Sequence, residues 1–329
     1  MKPVKAVLVI KLSALGDFVM AFPAFARIRA AHPDARITLL TTPPFDSLAK
    51  LSPYFDQVDT GGRPNGPAAW FALAARLRRG RFDRVYDLQT NDRTNLLFQA
   101  LRPSPPAWSG VAPGASLPHR NRARKAMHPL ERHAEQLAHA GIWPDAPTAP
   151  LSAEPPDISW ILKQALARSQ SSVRPSARPL RPTALLVPGS SAHRTEKRWP
   201  VASYGALAAR LEAEGFEVLI LGGLQEAELA RAIQRLAPRA RDLTGRTDFA
   251  QIAAHGARAA VAIGNDTGPV HLIAAAGAPT IVLFSSASSP ELSAPRGHVT
   301  VFQAPDLKDV AVETVLASAL SLARPETPP

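Results

Sequence analysis

The chain has 329 residues, 46% hydrophobic and 20% charged, enough for two ordinary domains with cores of their own. It has no cysteine, which excludes disulfides and thiolate metal sites, and no apolar run approaches the roughly 20 residues needed to cross a bilayer as a helix. Lysine and arginine number 38 against 27 acids, a formal charge of +11, which favours polyanionic partners: nucleic acid, an anionic membrane or a phosphorylated substrate. With 33 prolines and abundant alanine and arginine, part of this surplus is compositional.

The first ten residues resemble a signal peptide, but Lys11 truncates the apolar part and no small-residue cleavage site follows. They read instead as the first strand of a cytoplasmic protein. Ala6–Leu12 is a near-continuous apolar run, the mark of a strand covered on both faces in a parallel sheet. Through Ser13–Asp17 it leads into a helical pattern ending near Ala31, which Pro23 should kink or restart. Strands are expected at Arg36–Thr42, Gln57–Thr60 and Arg84–Gln89, with helices at Pro44–Leu51, Ala68–Arg79 and Thr90–Leu101. From Pro113 to Arg132 the chain turns basic. Arg120, Arg122, Arg124, Lys125 and Arg132 are opposed only by Glu131, which reads as an exposed loop able to bind anions or merely solvated. Glu131–Gly141 is a helix closed by its glycine.

Pro144–Pro156 and Ser169–Pro182 are rich in proline and serine, with a helix (Asp157–Arg168) between them, and mark a domain boundary. The division is placed at 1–155 and 156–329. A second α/β series follows: strands at Thr183–Val187, Phe216–Leu221, Val261–Ile263 and Thr280–Phe284, with helices at Val201–Glu214, Gln225–Leu236, Thr247–Ala257 and Asp306–Ala323. The last six residues are expected to be disordered. Each half carries its own doubly wound pattern, so the expected fold is α/β, two similar domains facing a cleft. Ligands in such sheets bind beyond the carboxyl ends of the strands.

The stretch around which the second half is organised is Val261–Leu272, VAIGNDTGPVHL. It is a buried strand, a tight turn and a helix start, whose backbone N–H groups and macrodipole suit a phosphate. Asp266 or Thr267 can cap the first turn, Gly268 permits close approach, and His271 lies one turn beyond Thr267 on the same side. The alternative is that the first two are only caps and His271 only covers a neighbour. In the first half, Asp17 follows Gly16, which allows a sharp turn, and either caps its helix or presents a carboxylate.

KLSALGDFVMAFPAF, FDRVYDLQTNDRTNLL, PGSS with KRWP, LGG and GNDTGPVHLIAAAGAPTIVLF together resemble, in order and spacing, the bacterial ADP-heptose:lipopolysaccharide heptosyltransferases, glycosyltransferase family 9. The similarity runs over roughly Ala6–Pro290. It implies a GT-B fold, two Rossmann-like domains with the acceptor on the first and the donor on the second. It also implies an inverting, metal-independent transfer of heptose from ADP-heptose to the lipopolysaccharide inner core. The family's general base matches Asp17. Its phosphate and donor contacts match Ser190, Ser191, Lys197, Asp266, Thr267, Gly268 and His271, and a ribose-contacting glutamate matches Glu226. The loop between Ser191 and Lys197 is longer than the family's, which keeps Arg194 and Arg198 beside Lys197 as alternatives for the diphosphate. SSASSP replaces the family's exit loop, and the basic loop of Arg120, Arg122, Arg124 and Lys125, which has no match in the family's pattern, is assigned to the acceptor.

The chemistry needs such groups. A carboxylate near the acceptor hydroxyl contributes roughly 10²–10⁴ in rate as general base. Lys197, the Ser190 and Ser191 hydroxyls and the helix start at Thr267–Gly268 would neutralise the departing diphosphate in place of a metal, and the carboxylates are too scattered for a metal cluster. Asp266, which would repel a diphosphate, is assigned to capping or to a donor hydroxyl, and Trp199 to the core. No cofactor and no nucleic-acid partner are expected. An anionic lipid acceptor makes peripheral contact with the inner face of the inner membrane compatible with this reading. Two rivals remain: a GT-B transferase of another nucleotide sugar or acceptor, and a non-catalytic polyanion-binding protein.

Overall fold

A computed structural model describes residues 3–143, 154–170, 181–191 and 193–323. The expected linkers lie mostly outside the described residues, and the six C-terminal residues entirely so. The chain divides into two compact units, Met1–Ser152 and Ala153–Pro329.

In the first unit, β1 (Ala6–Ile10) leads through α1 (Leu15–Val19) and α2 (Phe22–Ala31) to β2 (Arg36–Leu40). The single helical pattern is broken at Met20–Ala21 and restarts with Pro23 in its first turn, where a missing N–H costs nothing. Then come α3 (Asp46–Leu51), β3 (Gln57–Asp59), α4 (Gly66–Arg79), β4 (Arg84–Asp87), α5 (Asp92–Ala100), β5 (Ala107–Gly110), β6 (Leu117–Pro118) and α6 (Pro129–His139). The sheet is all parallel in the order β3-β2-β1-β4-β5-β6. Every residue of β1 is buried, as its unbroken apolar run requires for an inner strand. Leu73 and Leu77 of α4 and Leu97 and Phe98 of α5 share one core cluster with Leu8 and Ile10. Phe18, Phe22, Phe25 and Phe45 form an aromatic cluster between α1, α2 and the turn before α3.

The second unit repeats the plan. Its elements are α7 (Ser159–Gln170), β7 (Thr183–Val187), α8 (Val201–Ala213), β8 (Glu217–Ile220), α9 (Ala227–Gln234), β9 (Arg241–Asp242), α10 (Phe249–Gly256), β10 (Val261–Asn265), α11 (Gly268–Ala275), β11 (Thr280–Phe284), α12 (Pro290–Ser293), β12 (Val299–Gln303) and α13 (Val312–Ala323). The sheet order, β12-β11-β10-β7-β8-β9, is again all parallel. Counted from each unit's own first strand, both sheets read 3-2-1-4-5-6, so the strand order reverses between β1 and β4 and between β7 and β10. Trp199 and Tyr204 lie in the second core with Ala184, Ile220 and Ile263, as expected for Trp199.

Four short strands escape the sequence reading: β5, β6, β9 and β12. Those of two residues have no periodicity to read, and half-buried β12 at the sheet edge has none of the continuous apolarity of β10 or β11. The terminal helix starts at Val312 rather than Asp306, because Asp306 accepts the Lys308 N–H at 3.0 Å and closes a separate 3₁₀ turn.

Gly215 follows α8 with φ +88°, and a Cβ there would meet nothing within 4 Å. Gly215→Ala therefore isolates the backbone cost of the left-handed conformation and should lower stability by about 1–2 kcal/mol in urea denaturation.

Candidate functional site

The carboxyl ends of β7, β8 and β10 gather the residues singled out in the second half. Ser190 is 6% exposed. Its Oγ donates to the Arg194 carbonyl at 2.8 Å and accepts from Arg198 Nε at 2.9 Å. Arg198 also donates to the Ser190 carbonyl, so it braces the loop instead of facing outward. Arg194 Nη2 reaches the Ala287 carbonyl at 2.7 Å, and its Nε reaches Glu196. Ser191 is exposed. Lys197 Nζ donates to Asp266 Oδ2 at 2.6 Å, both side chains being largely buried. Of the three candidate cations, Lys197 is the one paired at the start of α11.

This pairing corrects the reading of Asp266 as a cap. The N-cap of α11 is Thr267, with no side-chain cap hydrogen bond, and the Asp266 carboxylate turns to the lysine. A charged partner at 2.6 Å outweighs a neutral backbone donor, and the pair removes the repulsion that an isolated Asp266 would exert on an anion. His271 is 6% exposed, one turn into the helix. Gly268 opens α11 and is followed by Pro269. Glu226, 5% exposed, accepts the Gly223 N–H at 2.7 Å. Its Cγ lies where a Cβ on Gly189 would stand, 2.7 Å away, so glycine at 189 lets the loops after β7 and β8 close together.

A residue that sequence reasoning missed holds this end of the sheet. Asn265, fully buried at the end of β10, donates to the Pro188 and Gly189 carbonyls at 2.8 and 3.2 Å. Its Oδ1 accepts from the Trp199 N–H at 3.0 Å and the Tyr204 hydroxyl at 3.1 Å. In the sequence Asn265 follows Gly264 and reads as part of the turn, whereas the strand runs on through it from Val261.

In the first unit Asp17 is the third residue of α1, half-buried, and its Oδ2 accepts the Ala14 N–H at 3.4 Å. That capping bond is long and weak. Gly16 lies within the helix and does not form the sharp turn expected of it. Lys11 is buried, with Nζ 3.4 Å from the Leu88 carbonyl. Burial lowers its pKa, and the charge of Asp17 opposes that shift. Arg132 of α6 is lowered by burial, raised by Asp17 and lowered by Arg124, so Asp17, Arg132 and Arg124 lie within electrostatic reach in sequence. Gln89 was also missed. Its Oε1 accepts the Leu12 and Ser13 N–H groups at 2.8 and 3.3 Å, tying the loop after β4 to the loop after β1. Gln136 donates to the Asp87 and Ser109 carbonyls, and His133 lies 3.3 Å from the Leu88 carbonyl.

Arg120, Arg122 and Lys125 are exposed and Arg124 is half-buried. Their loop is anchored at Glu135, which takes His119 Nε2 at 3.1 Å and Asn121 Nδ2 at 2.9 Å. His119, Glu135 and His139 also have metal-ligand spacing, within 4.8 Å. The chemistry fits a metal poorly, however. Asn121 occupies the carboxylate, Arg124 adds positive charge beside His119, and the buried His119 Nδ1 has no acceptor of the kind a metal-bound imidazole donates to. The cluster works as the loop's anchor.

Among solved structures, the E. coli ADP-heptose lipopolysaccharide heptosyltransferase II matches with a TM-score of 0.77 at 22% identity, over 97% of this chain and 98% of that one. A glycosyltransferase family 9 protein from Veillonella parvula matches at 0.79 and 21%, over 98% of each. The fold is therefore GT-B, two Rossmann-like units. The sequence profile of glycosyltransferase family 9 (heptosyltransferase) matches residues 70–310. E. coli lipopolysaccharide heptosyltransferase 2 is 27% identical over 317 residues, 89% of this chain and 86% of that protein. The chain belongs to glycosyltransferase family 9, and it is an enzyme of the heptosyltransferase class, which sets aside the non-catalytic polyanion binder.

Two measurements follow from the polar framework. Asn265→Ala leaves three buried backbone groups, the Pro188 and Gly189 carbonyls and the Trp199 N–H, without this partner at about 1–3 kcal/mol each and should destabilise the chain by at least about 3 kcal/mol in urea unfolding. Burial pushes the Asp87 carboxyl from 3.8 to about 6, against the hydrogen bonds it accepts. Between those values the folded chain keeps a proton that the unfolded chain has lost. Stability from this group therefore falls as pH rises from about 4 to about 6 and is level above. Asp87→Asn should remove that component of the difference between denaturation at pH 4.5 and pH 7.

Proposed function

We propose that the chain transfers heptose from ADP-heptose to the inner core of lipopolysaccharide, with inversion and without a metal ion. The second unit would hold the donor and the first the acceptor. The observation that carries this reading is the convergence of Lys197, Ser190, Glu226 and the uncapped start of α11 on one end of the second sheet. Of the three ammonium protons of Lys197, one goes to Asp266, which leaves two to turn toward a diphosphate. Each charge-assisted hydrogen bond to the leaving group is worth about 1.5–3 kcal/mol, and the amino end of α11 adds up to ~2 kcal/mol in a partly buried site. Ser191, Thr267, Gly268 and His271 line the same region and are assigned to the donor, with Glu226 at its ribose.

Asp17 is assigned as the base that takes the proton from the acceptor hydroxyl as the new glycosidic bond forms. Its weak bond to Ala14 leaves most of the carboxylate's accepting capacity unused. Lys11 and Arg132 lie within its electrostatic reach, so cationic side chains stand near the group assigned as base. Arg120, Arg122, Arg124 and Lys125 are assigned to the anionic groups of the acceptor. The protein would work at the inner face of the inner membrane, where such an acceptor is presented. Among the described residues no helix is long and apolar enough to cross a membrane.

A transfer assay with ADP-heptose and a truncated lipid acceptor tests the whole reading. Asp17→Asn should keep donor affinity in calorimetry while kcat falls about 10²–10⁴-fold; unchanged kcat would remove Asp17 from the mechanism. Lys197→Ala should weaken donor binding or slow the release of ADP, and turnover should persist in excess chelator. A stronger response to a uridine donor than to ADP-heptose would replace this donor by another nucleotide sugar.

A further inference from the structure

Part of the positive charge of the chain has a definite address on the outer helices of the first unit. Helices α4 and α5 cover the same face of the sheet, sharing one core cluster. Helix α4 connects β3 to β4 and α5 connects β4 to β5, all strands of one parallel sheet, so the two helices run the same way and begin at the end of the sheet that carries Asp17. Arg78, at the close of α4, donates to the Arg102 carbonyl just beyond α5 at 3.2 Å and to the Ala100 carbonyl, which fixes them side by side.

Phe71 in α4 is 77% exposed and Leu96 in α5 is 62% exposed. Each is the fifth or sixth residue of its helix, in the second turn. Among the described residues of this unit they are the large apolar side chains left mostly in water. The solvent side of α4 around Phe71 is completed by alanines, and its 14 residues include three arginines and no acid. Arg76 is neutralised by Asp59 at 2.6 Å, but Arg79 is exposed, as are Arg63 before α4 and Arg93 one turn from Leu96. Asp92 is the one acid of α5.

We infer that this face docks on an anionic lipid bilayer, Phe71 and Leu96 entering the interface while Arg63, Arg79 and Arg93 meet phosphate headgroups. A protein partner would call for a concave or continuous apolar surface. Two isolated apolar side chains on a convex helix pair, flanked by arginines that no acid neutralises, instead match a soft and uniformly negative surface. The inference takes from the proposed function only the reason that a bilayer lies close by.

The full-length protein is sedimented with vesicles of phosphatidylcholine alone and of phosphatidylcholine with phosphatidylglycerol, at low and at high salt. Binding should rise with phosphatidylglycerol and fall with salt, each arginine contributing about a factor of five. Phe71→Ser with Leu96→Ser should lower the partition at least about tenfold, and Arg79→Glu with Arg93→Glu should abolish the preference for the anionic vesicles. All four substitutions lie on the surface, and an unchanged circular dichroism spectrum shows that they leave the fold intact. Equal binding to both vesicle types, no binding, or an unaffected apolar variant would overturn the inference. So would a wild-type dimer in gel filtration that the apolar variant dissolves, which would give the face to a second copy of the chain. Heptose transfer to a deacylated, water-soluble acceptor, expected to be equal in wild type and the apolar variant, separates the two questions. Its absence in wild type would overturn the proposed function and leave the vesicle result standing.

Discussion

Both units have to end their central strands where the order of the sheet reverses, and each does so with one amide side chain from its fourth strand or the residues just beyond. Asn265 closes β10 and grips the loop after β7. Gln89 lies two residues past β4 and grips the loop after β1. At such a switch point the two neighbouring loops part to opposite faces of the sheet, so their backbone groups find no ladder partners. Unpaired and buried, those groups would each cost about 1–3 kcal/mol. A neutral amide offers donors and acceptors together without the desolvation penalty of a charge. The same device at the same place in both sheets fixes loops that have little regular structure of their own.

What those loops carry follows from that rigidity. With the Gly189 carbonyl held by Asn265, Ser190 is set against Arg198 and the chain continues to Lys197, which meets Asp266 one residue past Asn265. Asn265 and Asp266 are thus adjacent residues with opposite duties. One supplies neutral bonds inside the sheet end, the other a charge at its mouth. In the first unit Gln89 holds the N–H groups of Leu12 and Ser13, the last turn of chain before α1 brings Asp17 forward. Arg63 donates to the Ser13 hydroxyl and adds a second hold on that turn.

The repeated doubly wound plan was legible because inner parallel strands are buried on both faces and show as unbroken apolar runs. Ala6–Ile10, Thr183–Val187 and Thr280–Phe284 are fully buried, and the last two were bounded to the residue. The motif residues were legible as a set, since they cluster after such strands. The edge strands β6 and β9 were not, because they are two residues long and held by backbone bonds that any side chain allows. Nor was the partner of Asp266 readable, since Lys197 lies 69 residues away in the chain and local spacing offered only the helix cap. The same limit hid Gln89 and Asn265, whose partners stand 77 residues off.

The chain's charge also divides more sharply than its composition suggests. Several arginines spend their charge inside the fold: Arg29 on Asp56, Arg76 on Asp59, and Arg198 on the Ser190 loop. Such cations say nothing about a partner. Those exposed to water in the first unit include Arg120, Arg122 and Lys125 on the anchored loop and Arg79 and Arg93 on α4 and α5. Long-range attraction of an anion depends on this second group, because a cation already paired at 2.6 Å presents a dipole whose field falls off faster than that of a free charge. A net charge of +11 is therefore a poor guide to binding until the internal pairs are taken away, and what is left is concentrated on the unit that also carries Asp17.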